Sequence, residues 1–191
     1  MRGMKRITGI IICLLTLLML ISCASGETRT SGALIEEETY YFEDSDYTVN
    51  GLVVHFDSIT LKRVAKPAGY EVAITYYVEN QNSTEATFAF STLNGNCFEL
   101  NGKRTTLSTL ATWSKSHETK FPLNANETSD QYIGDFFASS LFSSKTIDGT
   151  TYEPIDIANL YSGQVIGIEL TMDGYVGDSV ESIIAAFEIE L

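Results

Sequence analysis

Positive charge, histidine, cysteine and proline are all scarce in this chain of 191 residues. Twelve Lys and Arg face 25 Asp and Glu, a formal charge of −13. So acidic a chain is repelled by polyanions, which argues against nucleic acid as a partner. Only two histidines are present, His55 and His117. Neither accompanies a Gly-x-Ser-x-Gly elbow or another nucleophile motif, so no nucleophile–base pair is legible and no catalytic residue is assigned. Zinc-ligand spacings such as His-x-x-x-His and Cys-x-x-Cys are missing, and no cofactor or metal is expected. No helix–strand alternation is present, which disfavours a parallel α/β sheet.

One long apolar run exists, Ile7 to Ile21, behind a basic stretch of Arg2, Lys5 and Arg6. It is shorter than the roughly 20 residues a membrane-spanning helix needs, and its layout is that of an export signal. It ends in Leu20-Ile21-Ser22-Cys23, which resembles the bacterial lipobox: an apolar residue, two variable residues of which the second is small, then cysteine. The resemblance implies that residues 1–22 are removed, that the Cys23 thiol is acylated, and that the protein is held by lipid on the cell membrane or outer membrane, outside the cytoplasm. Each buried methylene contributes about 0.8 kcal/mol and one acyl chain alone holds only marginally. The resemblance implies two or three chains, hence lasting attachment. Removing residues 1–22 takes away three basic residues and no acidic one, leaving 9 against 25, so the lipid must supply that attachment. Cys97 is then the one cysteine besides Cys23, and no disulfide can form within one mature chain. It is expected to be a small apolar filler. The alternative is a reactive thiol, for which Lys103 and Arg104 are near in sequence.

Residues 23–46 read as a flexible acidic tether, spanning about 26 Å root-mean-square, with Tyr40, Tyr41 and Phe42 as an aromatic interruption. From 47 to 191 a single domain with period-two alternation is expected. Leu52, Val54 and Phe56 share a face; Ile59 and Leu61 continue with shifted parity, so a bulge is expected near Asp57-Ser58. Val72, Ile74, Tyr76 and Val78 form the clearest strand, with Ala73, Thr75 and Tyr77 opposite. Phe88 and Phe90 alternate in the next, and Asn94-Gly95-Asn96 is a turn. Phe98 and Leu100 lead to Asn101-Gly102, the preferred type I′ hairpin pair. Leu107, Thr109, Ala111 and Trp113 share a face, and Phe121 and Leu123 mark a further strand. Residues 130–145 suit strand or short helix equally, and Ile147 to Tyr161 read as a long loop. Near the end Ile166, Ile168, Leu170 and Met172 alternate, Asp173-Gly174 turns, and Ile183, Ala185, Phe187, Ile189 and Leu191 form the last strand. Seven to nine short strands at such spacing predict an all-β antiparallel sandwich or barrel.

Two phrases narrow that choice. Val54-His55-Phe56-Asp57-Ser58-Ile59 followed by Tyr77-Val78-Glu79-Asn80 is similar to a group of exported bacterial lipoproteins, among them a mycobacterial secreted immunoprotective antigen. The resemblance covers about the first third of the domain. It implies an immunoglobulin-like antiparallel β-sandwich and carries over no catalytic residues.

Acidic loops leave calcium open through Glu43-Asp44-Ser45-Asp46, through Asp148, Glu153 and Asp156, and through Asp173 with Asp178, although none has the EF-hand pattern. Aromatic residues are plentiful, with ten Tyr and ten Phe. Most alternate within strands as core. Trp113, Tyr152, Tyr161 and Tyr175 sit in or beside expected loops and are the candidate binding anchors, with rim packing as the alternative. The reading is a monomeric, lipid-anchored, non-catalytic binding or adhesion module whose partner is an envelope protein, a wall polymer or a glycan. An envelope hydrolase using loop carboxylates, or an accessory subunit of a membrane complex, stands as the alternative.

Overall fold

The computed structural model describes residues 32–43, 45–90, 96–109, 120–139, 145–147, 150–152 and 157–191, with backbone alone at 108–109, 139, 145–147 and 150–152. The expected export signal at residues 1–22, Cys23, Trp113 and His117 lie outside the described residues. So do the turn residues Asn94 and Gly95 and the acids Asp148, Glu153 and Asp156.

The chain is all-β and antiparallel, and the described residues contain no helix. The described residues form thirteen strands: β1 Glu37–Tyr41, β2 Asp46–Val49, β3 Leu52–Ala65, β4 Ala68–Asn80, β5 Ala86–Phe90, β6 Cys97–Leu100, β7 Lys103–Thr109, β8 Lys120–Leu123, β9 Tyr132–Ser139, β10 Lys145–Ile147, β11 Thr150–Tyr152, β12 Val165–Val176 and β13 Ser179–Glu190. The number exceeds the expected seven to nine because β1, β2, β10 and β11 are pieces of three to five residues, too short for alternation to show in sequence.

A first sheet is built on the β3–β4 hairpin, with β1 and β2 on the free edge of β3 and β9 beyond β4. A second is built on the β12–β13 hairpin, with β5 and β6 on the other edge of β12 and β8 beyond β5. Strand β7 joins them, pairing with β6 over Lys103–Thr106 and with β9 over Leu107–Thr109. Phe56 meets Phe187 at 5.0 Å between ring centres, Tyr76 meets Phe90 at 5.0 Å, and Phe121 meets Tyr132 at 4.4 Å. These pairs join the facing sides of the two sheets into one aromatic core.

The parity of β3 and β4 dictates this packing. Leu52, Val54, Phe56, Ile59 and Leu61 are buried, and so are Val72, Ile74, Tyr76 and Val78, while Ala73, Thr75 and Tyr77 are half-buried on the other face. The register slips between Phe56 and Ser58: Asp57 is the extra residue, and the slip returns Ile59 to the core face. The neighbouring strand breaks at the same level, β1 ending at Tyr41 and β2 beginning at Asp46. The Phe42 amide then donates to the Asp57 carbonyl. Strands β5 and β6 are likewise two halves of one line along β12, pairing with Met172–Tyr175 and Ile166–Glu169 respectively. Buried Asn96 fills the gap, its Oδ1 accepting from the Thr171 amide at 2.8 Å.

Two expectations are corrected, and one open choice is decided. Residues 23–46 are not a tether throughout. From Gly32 on the chain is part of the fold: Ile35 is buried, β1 pairs with β3, and Phe42 packs on Phe187 at 4.7 Å. Residues 132–139 are strand, paired with β4. Asp173-Gly174 is not a turn but runs within β12, opposite Ser182 and Glu181. Gly174 is there for a close approach, since a Cβ would meet the Val49 carbonyl oxygen at 2.8 Å. The turn comes at Gly177-Asp178, where Gly177 has φ +56°, a conformation that suits glycine. The type I′ turn at Asn101-Gly102 is as expected, with φ 53° and 74°.

Asn80, which closes the Tyr77-Val78-Glu79-Asn80 phrase, is fully buried. Its Nδ2 donates to the carbonyls of Thr84, Leu123 and Asn124, and its Oδ1 accepts from the Asn82 amide at 2.9 Å. The side chain thus fastens the end of β4 to the loop after it and to the end of β8. A buried amide is tolerable because each of its groups is satisfied.

Candidate functional site

The outer face of the second sheet carries a groove of about 470 Å³. Pairing builds it. Gly167 of β12 lies between Glu99 of β6 and Glu188 of β13, and the next row along is Cys97, Glu169 and Ala186. Strand β7 sets Arg104 opposite Glu99. Glycine leaves the floor open: a Cβ at 167 would come within 3.1 Å of the Glu99 Cβ. Glu99, Arg104, Glu169 and Glu188 all line the groove.

Its electrostatics are set by the carboxylates of Glu99, Glu169 and Glu188 and by one guanidinium, which the first two contact. Arg104 Nη2 forms a close ion pair with Glu169 Oε1. Its Nε lies 3.1 Å from Glu99 Oε2 without hydrogen-bond alignment, so that contact is charge–charge. Carboxylates stay in excess, and the groove presents fixed polar groups on a rigid sheet. It is suited to holding a ligand by contact, with the negative charge favouring cationic groups.

Cys97 lies beside it, fully buried, its Sγ donating to Glu169 Oε2 at 3.6 Å. Burial pushes the thiol up to about 12, and the Glu169 carboxylate pushes the same way. The thiol is therefore protonated and enclosed at neutral pH. The reactive-thiol alternative fails because Arg104, though adjacent, is committed to Glu99 and Glu169.

His55 is half-buried on the outer face of the first sheet. Its Nδ1 lies 2.8 Å from Asp46 Oδ1, its Nε2 lies 3.8 Å from Glu79 Oε2, and its ring stacks on Tyr77 at 4.4 Å. Its carboxylate partners come from the flanking strands β2 and β4, while Asp57, near in sequence, is bonded to Gln131 at the bulge. The ring ties three strands together.

Of the candidate anchors, the two with described side chains, Tyr161 and Tyr175, are not brought together. Trp113 is outside the described residues, and of Tyr152 only the backbone position in β11 is described. Tyr161 is exposed beside the start of β12, bridged to Leu34. Tyr175 is not in a loop but near the end of β12, half-buried under the Lys120 ammonium at 4.6 Å. Ten residues of strand, about 33 Å, lie between the start of β12 and Tyr175. Nor do the described acids gather: Asp46 is engaged with His55, and Asp173 accepts from the Ser182 hydroxyl at 2.6 Å. Among the described residues no three His, Cys, Asp or Glu side chains converge for a metal. The Gly167 groove was invisible to sequence reasoning because its lining comes from residues 99, 104, 167 and 188, on four strands.

No family model and no curated protein matches the chain. Two solved structures are similar in outline. One, from Bacillus subtilis subsp. subtilis str. 168, is described as a putative lipoprotein (ycdA); it matches at 8% identity and TM-score 0.44 over 78% of this chain. This chain spans 39% of that protein's length. The other is the ASH/PapD-like domain 7 of human CEP192, at 8% identity and TM-score 0.33, covering 93% of this chain and 98% of that one.

Proposed function

We propose that the protein is a lipid-anchored binding module of the cell envelope, attached through Cys23 and engaging its partner without covalent chemistry. The observation that carries the binding part is the Gly167 groove: an open channel on a rigid sheet, with Glu99, Glu169 and Glu188 in excess over Arg104. The nearest thiol, Cys97, is enclosed and held protonated beside it, which suits a contact surface better than a reaction centre. The lipobox at Leu20 to Cys23 carries the anchoring part.

Two measurements test the two parts separately. In cells fed labelled palmitate, Cys23→Ala loses the label and leaves the membrane fraction or stays an unprocessed precursor. A processed variant that still fractionates with membrane ends the anchor reading. For the groove, Gly167→Val fills the floor. Capture of envelope components by the purified domain drops at least tenfold in this variant while its melting temperature stays within a few degrees. Unchanged capture by the folded variant places the binding surface elsewhere.

A further inference from the structure

The chain enters the fold at one end of the sandwich. Ser162 Oγ accepts from the Ala33 amide at 2.8 Å, the Ser162 amide donates to the Ala33 carbonyl, and Leu34 bridges Tyr161. The Ile35 amide donates to the Leu160 carbonyl. Arg63 locks the same region, its Nε donating to the Ala158 carbonyl at 3.0 Å and its Nη2 to Asn159 Oδ1 at 2.7 Å. The Lys66-Pro67 turn, the Asn101-Gly102 turn, the start of β12 and the end of β13 are all at this end. The turns at 50–51, 81–85, 124–130 and 177–178 are at the other, where Gly174 touches Val49.

The two ends differ in charge rather than in apolar exposure, since Val180 is exposed at the far end as well. The entry end has Tyr161 and Val165 exposed at 36% and 47%. It also has Lys66 and Lys103, both exposed and in no ion pair among the described residues. Among the described residues Glu190 is exposed there, as are Glu36 and Glu37, which are paired with Arg63 and Lys62. The turns of the far end hold Glu85, Glu127, Asp130 and Asp178 and no Lys or Arg. A tyrosine and lysines suit a headgroup layer; a cluster of carboxylates is repelled by an anionic one.

Length decides the rest. Nine residue steps separate Cys23 from Gly32, a reach of about 31 Å even when fully extended. Strand β12, with 12 residues, is about 36 Å long. A domain turned upside down would need its leader to run the whole length of the sandwich, which nine steps do not cover.

We propose that the entry end, marked by Lys66, Lys103, Tyr161 and Val165, lies against the phospholipid headgroups, and that the acidic end with Asn50, Asn82, Asn126 and Asp178 points away from the membrane. This rests on the Cys23 anchor proposed above. It leaves the Gly167 groove on the flank close to the membrane, since Val165 and Gln164 line it.

The test uses the full acylated chain, in a Cys97→Ala background, reconstituted into phosphatidylethanolamine–phosphatidylglycerol vesicles. A donor dye is attached at Lys66→Cys or at Asp178→Cys, both exposed turn positions, and energy transfer to a headgroup acceptor is measured. The Lys66→Cys donor is strongly quenched, and the Asp178→Cys donor reports a distance about 30 Å greater. Equal transfer from both, as for a sandwich lying on its side, or stronger transfer from Asp178→Cys, overturns the orientation while leaving the anchor standing. If the acylated chain does not float with the vesicles at all, the anchor itself fails and the orientation falls with it.

Discussion

The Tyr70 hydroxyl donates a hydrogen bond to the Ile35 carbonyl at 2.7 Å, fastening the first described segment of the chain to the centre of the first sheet. The same oxygen accepts from the Leu160 amide at 2.9 Å, and burial raises the hydroxyl's pKa. Tyr70→Phe removes this oxygen and leaves a buried carbonyl and amide without their partner. A loss of about 1–3 kcal/mol is expected, read as a lower urea midpoint at unchanged slope. A midpoint equal to that of the parent would mean the two backbone groups reach water.

Removal of the segment has a larger effect. A domain begun at Asp46 loses buried Ile35, strand β1 and the Phe42–Phe187 contact. Each large apolar side chain taken from a core costs about 1.5–3 kcal/mol. The melting temperature falls by more than about 8 °C, measured by circular dichroism against a domain begun at Ala24. Equal melting of the two would return residues 32–45 to the tether.

Parity in β4 separates two substitutions three residues apart. Val78 is fully buried between the sheets and Thr75 is half-buried on the outer face. Val78→Asp places a charge without a partner in the core and unfolds the domain. Thr75→Asp costs less than about 1 kcal/mol, as surface changes do. Comparable damage from both, in the same denaturation assay, would show that the outer face is covered too.

Cys97 gives a pH-dependent signature. Its thiol is held at about 12 in the fold against an ordinary 9.0. The folded state therefore favours the protonated form. The stability this contributes is complete below pH 9 and is lost as pH rises from there through about 12. The slope is at most about 1.4 kcal/mol per pH unit. Subtracting the profile of Cys97→Ala isolates it from tyrosines and lysines titrating in the same range. In the native protein at pH 8 the thiol is inert to a disulfide reagent and reacts at once in denaturant. Rapid reaction in the native state would mean the thiol is accessible.

How much of this was legible follows residue by residue. Strands β3, β4, β12 and β13 were read from alternation, and the Asp57 bulge was read as well, because a slip in an otherwise regular parity has one simple cause. Strand β1 was not, because its five residues, Glu37-Glu38-Thr39-Tyr40-Tyr41, bury no side chain completely. What holds it is backbone pairing to β3, which leaves no mark on composition. Asp173-Gly174 misled because a turn-forming pair was used instead to admit the Val49 carbonyl. The groove at Gly167 has no local signature at all, since a side chain's neighbours across a sheet are set by register. The loop aromatics were named as types; Tyr161 and Tyr175 then fell at opposite ends of β12.

The two long hairpins set an order of events in folding. The β3–β4 hairpin closes over a two-residue turn and needs nothing downstream. The inner face it offers, with Phe56 and Tyr76, is matched by Phe187, Phe90 and Phe88. Strands β5 and β6 pair early with β8 and β7, but their other edges meet β12 only roughly seventy to ninety residues later. Phe88 and Phe90 arrive with β5, but the part of the early hairpin's face met by Phe187 stays uncovered until the chain is available through β13. Closure of that distant pairing is the slow step for a topology of this kind. The segment between the two hairpins need not wait, because β9 can add to β4, and β6 with β7 and β5 with β8 can pair before β12 is present; only the seam along β12 is left to the end.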